Sequence, residues 1–139
     1  MTRIEFYVLP DADPKGRLLA ACRLASKAWQ HELPVFVRCQ DERECGELDA
    51  LLWSFRGERF IPHNLHDEDP MAPVVIGLDQ PPAQPQAVLI NLAQDLSGHL
   101  DRYSRVFEIV NQEPHQLARS RENFRVYRRQ GYDPKRVEL

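Results

Sequence analysis

The residues from 115 to 139 hold seven basic side chains, six of them arginine: Arg119, Arg121, Arg125, Arg128, Arg129 and Arg136, with Lys135. At helical spacing Leu117, Ser120, Phe124 and Tyr127 fall on one stripe. Arg121, Arg125 and Arg128 run along its edge. A guanidinium can grip a carboxylate through two parallel hydrogen bonds, and an aromatic stripe beside it supplies an apolar floor. Together they suit a short acidic peptide with a hydrophobic or aromatic end, or a free C-terminal carboxylate. The same residues also fit a solvated helix face backed by an ordinary core stripe, or a helix that contacts nucleic-acid phosphates.

Other constellations carry less chemistry. The run His63-Asn-Leu-His66-Asp-Glu-Asp69 has a permissive spacing for a metal but is equally the composition of a solvated loop, and no metal is expected. Cys22, Cys39 and Cys45 are an odd set without CxxC spacing, which reads as reduced thiols and supplies no zinc site alone. The turn PDADPKGR, after the first expected strand, lacks GxGxxG and is acidic; nothing in the chain matches GxxxxGK[ST]. No nucleotide or other cofactor is therefore expected. There is no GxSxG and no recognisable nucleophile–base pair, so no catalytic site is expected. A second surface candidate is the aromatic cluster Trp53, Phe55, Phe60, Ile61 and Pro62. Such residues either roof the core or form a partner hot spot; Phe60, between Arg59 and Ile61, suits an exposed anchor.

These residues must be positioned by an alternating fold. Positions 4–9 (IEFYVL) read as a buried strand. Asp13 caps a helix over 14–31 with Pro14 at its first position. A strand at 34–38 follows, then a helix from Asp41 to about Trp53 with Asp41 as cap and Glu44 three residues on. Positions 56–73 read as a long polar connection, 77–86 as a loop, and 72–76, 87–92 and 105–110 as strands. The last helix covers 114–130 and is closed by Gly131; the final eight residues read as frayed. The pattern predicts an α/β fold: a single domain over 1–139, with a largely parallel sheet, flanking helices and Rossmann-like topology without a nucleotide site.

Composition agrees. At 139 residues and 42% hydrophobic the chain matches one globular domain. No apolar run approaches the roughly 20 residues that span a bilayer, and positions 1–20 show no signal peptide, so the expected location is the cytoplasm. The formal charge of −3 divides into −7 over 1–114 and +4 over 115–139. An acidic body argues against broad DNA wrapping, while a local basic patch suits a small acidic ligand.

The segment LDALLWSFRGERFIPHNL at 48–65 resembles the "LD..LW....FIPHNL" stretch of the chi subunit of bacterial DNA polymerase III holoenzyme. The opening IEFYVL resembles that family too, as does the end, with Arg121, Phe124, Tyr127-Arg128 and Gly131-Tyr132. The resemblance runs through nearly the whole chain, in order. It implies a single α/β domain without its own catalytic centre, acting as an accessory subunit of the clamp-loader assembly in DNA replication. It also implies two partners. One is the acidic C-terminal tail, ending in Pro-Phe, of single-stranded DNA-binding protein, and through it single-stranded DNA. The other is the psi subunit. By resemblance Arg121, Phe124 and Gly131 match the tail-binding helix and turn, and the helix geometry adds Arg125, Tyr127 and Arg128. Phe60 matches the psi-contacting aromatic, with Trp53, Ile61, Pro62 and His63 around it. The alternative is direct nucleic-acid binding through the arginine-rich helix.

Overall fold

The computed structural model describes residues 2–55 and 61–139. Their strands form one seven-stranded sheet in the order β3-β4-β2-β5-β6-β1-β7, and every pairing is parallel. The strands are β1 (Arg3–Val8), β2 (Val35–Arg38), β3 (His63–Leu65), β4 (Val74–Gly77), β5 (Ala87–Asn91), β6 (Tyr103–Val110) and β7 (Lys135–Glu138). Three helices accompany them: α1 (Pro14–Gln30), α2 (Glu42–Ser54) and α3 (Pro114–Arg129). Parallel strands need crossover connections, which are α-helical here after β1, β2 and β6, and these helices cover both faces of the sheet. Accordingly β2, β4 and β5 are buried along their whole length.

Two apolar layers sit on the two faces. Cys22, Ala25 and Ala28 of α1 and Leu48 and Leu52 of α2 pack on Val37, Ile76, Ile90 and Ile109. On the other face Leu117, Phe124 and Tyr127 of α3 pack on Ile4, Phe6, Val8 and Val110. Alternation along β1 and β6 does the sorting, since successive side chains point to opposite faces.

The caps follow the sequence. Asp13 Oδ1 accepts from Lys15 N at 3.0 Å, behind Pro14. Asp41 Oδ1 accepts from Glu44 N at 2.9 Å, and Glu44 Oε1 accepts in return from Gln40 N at 2.8 Å. For α3 the cap is Glu113, whose carboxylate accepts from His115 N and Gln116 N. The turn after α3 needs glycine. Gly131 has φ +93°, its N–H donates to Arg128 O, and Tyr132 N donates to Tyr127 O, the two bonds of a Schellman closure.

Two expectations need correction. Positions 63–65 form β3, pairing with β4, where a loop was expected. Three residues that include His and Asn carry no strand signal of their own; the exposed edge of β4 recruits them. Nor are the last residues frayed: β7 pairs with β1, placing Arg136 opposite Phe6 and Glu138 opposite Val8. Lys-Arg-Val-Glu looks like a tail because an edge strand facing solvent carries charge.

Candidate functional site

Helix α3 crosses its sheet face so that a groove of about 440 Å³ remains between it, β1, β6 and β7. The floor is apolar: Phe6 and Val8 from β1, Val110 from β6, and Leu117 and Phe124 from α3. The Phe6 and Phe124 rings lie 5.3 Å apart. Three guanidinium groups stand at the rim, from Arg121, Arg125 and Arg136. Arg121 is exposed and makes no ion pair with any described residue. Arg125 and Arg136 have only exposed, near-sequence partners, Glu122 at 3.0 Å and Glu138 at 2.8 Å. Such surface pairs contribute little and exchange readily for an incoming carboxylate.

The expected tail-binding set is divided by the fold. Arg121, Phe124 and Arg125 share the groove. Tyr127 does not. It is fully buried beneath α3, and its hydroxyl donates to Glu108 Oε2 at 2.5 Å. Its place on the apolar stripe is correct, but it anchors the helix to the sheet instead of flooring the groove. Arg128 is exposed outside the groove. Gly131 lines a separate hollow of about 960 Å³ at the C-terminal end of α3, with Tyr132, Tyr103 and the loop at 82–86. Arg119 is committed elsewhere, its Nε donating to Gln94 O at 2.9 Å. Arg136 is the groove residue that sequence reasoning left unplaced. Its position depends on β7, and the only signal was membership of the basic cluster.

Glu108 is the most perturbed carboxyl of this region. Burial pushes it up to about 7, against the hydrogen bonds from Tyr127 and Asn91, which pull it down. Asn91 Nδ2 donates to Glu108 Oε2 at 2.9 Å. Burial likewise raises the Tyr127 hydroxyl, and the neighbouring Glu108 carboxylate adds to the effect.

At the carboxyl ends of the strands, where open α/β sheets bind their ligands, two arginines bond to the chain. Arg17 donates to Ile109 O and Leu92 O, both at 3.1 Å. Arg38 donates to Asp95 O and Asp95 Oδ1, both at 2.7 Å. Arg38 Nε also lies 3.4 Å from Asp79 Oδ1. Among the described residues, no group of three or more His, Cys, Asp or Glu side chains could hold a metal, and no helix is long and apolar enough to cross a membrane.

The second candidate surface lies at the end of α2. Trp53 is 61% exposed, and its ring meets His63 edge-on at 4.9 Å. Ile61 and His63 point inward: Ile61 joins the core, and His63 Nε2 lies 3.2 Å from Asp49 Oδ1. Pro62 is half-buried. Phe60 lies outside the described residues.

An all-parallel sheet covered by helices on both faces, with an arginine-rimmed apolar groove on one of them, places the protein in the α/β class. The family model for the DNA polymerase III chi subunit, HolC, matches residues 1–135. The chain belongs to that family, whose members are accessory subunits of DNA polymerase III in DNA replication. It is 52% identical over 132 residues to "DNA polymerase III subunit chi" of Pseudomonas aeruginosa, covering 95% of this chain and 93% of the relative. With the subunit of the same name from Escherichia coli it is 29% identical over 140 residues, covering 96% and 95%. Among solved structures, a DEAD box protein from the hyperthermophile Methanococcus jannaschii superposes with a TM-score of 0.63 at 16% identity. That match spans 97% of this chain but only 42% of the larger protein, and it concerns the fold alone.

Proposed function

We propose that this chain tethers the DNA polymerase III complex to coated single-stranded DNA by capturing the acidic C-terminal tail of single-stranded DNA-binding protein. The capture site is the groove between α3, β1 and β7. The observation that carries this reading is the pairing of an apolar floor, Phe6 and Phe124, with a rim of Arg121, Arg125 and Arg136. A tail ending in phenylalanine lays its ring against the apolar floor made by the two aromatic side chains, while its carboxylates meet the guanidinium groups. The subunit works by binding, with no chemistry of its own, in the cytoplasm at the replication machinery. The exposed Trp53 contacts the psi subunit, which joins this chain to the clamp loader, and by the resemblance Phe60 belongs to the same contact.

Arg121 bears most directly on the test, because it has no ion-pair partner among the described residues to lose. Arg121→Ala is expected to weaken a labelled tail peptide about tenfold or more, since a hydrogen bond to a charged group is worth ~1.5–3 kcal/mol. Fluorescence anisotropy measures this, and unchanged affinity would remove Arg121 from the site. Trp53→Ala should reduce co-purification with psi and leave tail affinity intact. Tight binding of bare single-stranded DNA, lost in Arg121→Ala, would instead favour direct nucleic-acid contact.

A further inference from the structure

Two of the three cysteines meet where the carboxyl end of β2 leads into α2. Cys39 directly follows β2, and Cys45 lies at the start of α2. One carbonyl brings them together: Gly77 O, at the end of β4, accepts from Cys39 N at 2.8 Å and from the Cys45 thiol at 3.5 Å. The two thiols are also hydrogen-bonded to each other. Cys39 is 2% exposed and Cys45 8%. That difference has a direction, because Cys45 lines a cavity of about 300 Å³ that opens to solvent between Gly46, His66 and Gly77. Gly46 leaves open space beside it, since a Cβ there would meet nothing within 4 Å. Cys22 shares neither feature: it lies on α1, is fully buried, and burial pushes its thiol up to about 12.

We propose that Cys39 and Cys45 are a modification site, forming a reversible disulfide driven by hydrogen peroxide, with Cys45 as the attacking thiol and Cys39 as the resolving one. Both hold free thiols in this structure. The thiolate is the nucleophile in such chemistry. The hydrogen bond from Cys39 draws the Cys45 thiol below its ordinary value, against burial and the carboxylates of Glu44, Asp41 and Glu42; the same contact and burial push Cys39 up. The Cys45 sulfur attacks one oxygen of the peroxide. The O–O bond breaks, Cys45 becomes a sulfenic acid, and the other oxygen leaves as water with the thiol proton. The Cys39 sulfur then attacks the Cys45 sulfur. The S–S bond forms as the S–O bond breaks, and the hydroxyl departs with the Cys39 proton as a second water. Two electrons pass from the sulfurs to the peroxide. The mouth of the cavity carries Glu42 and Asp67, whose field opposes anionic oxidants such as acidic peptide disulfides but not a small neutral peroxide. The bond ties the end of β2 to the start of α2, and nothing in this inference depends on the α3 groove.

The full chain, reduced and then freed of reductant, is treated with hydrogen peroxide, alkylated in urea and cut with trypsin for mass spectrometry. Cleavage after Arg38, Arg43 and Arg56 puts Cys39 on peptide 39–43 and Cys45 on peptide 44–56. The expected product is these two peptides joined, with Cys22 alkylated, and the pair separates again on adding a thiol reductant. The link should form at least about tenfold faster in the native chain than in the urea-unfolded chain, because only the fold sets the two sulfurs side by side. In Cys39→Ala the reaction should stop at the sulfenic acid, trapped by dimedone on peptide 44–56, in a chain whose circular dichroism matches the native one. Separate, alkylated peptides after peroxide treatment of the native chain overturn the proposal. So does a link that forms equally fast in urea, or one that includes Cys22. Dimedone on peptide 39–43 of Cys45→Ala, with none on peptide 44–56 of Cys39→Ala, overturns the order of attack.

Discussion

Glu108 joins α3 to the sheet through one carboxylate oxygen, which accepts from both Tyr127 and Asn91. Its carboxyl titrates near 7, well above the ordinary 4.5, because burial penalises the ion. The folded state therefore holds this proton more tightly than the unfolded chain does. Between pH 4.5 and 7 the contribution of Glu108 to stability falls as pH rises, being full below 4.5 and lost through 7. Glu108→Gln keeps the acceptor and removes the ionisation, so urea titrations between pH 5 and 8 should show a flatter stability profile than the native chain. Tyr127→Phe removes a buried donor and should cost about 1–3 kcal/mol, because the Glu108 oxygen loses a partner. A melting curve that is unchanged would contradict the anchoring role. The spacing from Leu117 to Tyr127 was legible as an apolar stripe, but periodicity states only that a residue faces inward. It could not separate Phe124, which stops at the groove, from Tyr127, which reaches Glu108; that distinction is set by Asn91 and Glu108 on strands distant in sequence.

Among the elements, the two the sequence hid are β3 and β7, the short strands at the two edges of the sheet, which carry little apolar pattern. The helices and the buried strands announce themselves, through Asp13 and Asp41 at the caps and the apolar runs at 35–37 and 88–90. β7 does not, since the strand it pairs with is β1, at the opposite end of the chain. That omission concealed Arg136, and with it one wall of the groove. Arg136→Ala should weaken the tail peptide by about three- to tenfold, as expected for one charge-assisted contact. It should leave the melting temperature almost unchanged, since its present partner Glu138 is exposed. The closure of α1 offers a second test at this scale. Glu32 sits at φ +60°, the left-handed position that a glycine fills without strain. Glu32→Gly should therefore stabilise the chain by about 0.5–1 kcal/mol in urea denaturation, while a loss of stability would mean that the Glu32 side chain contributes something the backbone does not reveal.

For the molecule as a whole, the division of charge into −7 over 1–114 and +4 over 115–139 becomes spatial once β7 is in place. The positive segment wraps one edge of the sheet, with α3 and β7 flanking the same groove. A long anionic polymer laid across that edge would soon meet the acidic remainder of the surface, whereas a short acidic tail need touch only the arginines. Association with the tail should thus be steered by a local field and weaken as salt shortens the Debye length from ~10 Å at 0.1 M toward ~3 Å at 1 M. Titrating the labelled tail peptide across that salt range should give a graded loss of affinity. In Arg125→Glu both the affinity and its salt dependence should shrink together, because a rim charge has been reversed while Phe6 and Phe124 are untouched. Affinity that fell in the variant with an unaltered salt dependence would place Arg125 among the packing contacts rather than the steering ones. Bare single-stranded DNA, tested on the same native chain, should bind far more weakly than the tail at every salt concentration, since the acidic body opposes it wherever it extends beyond the groove.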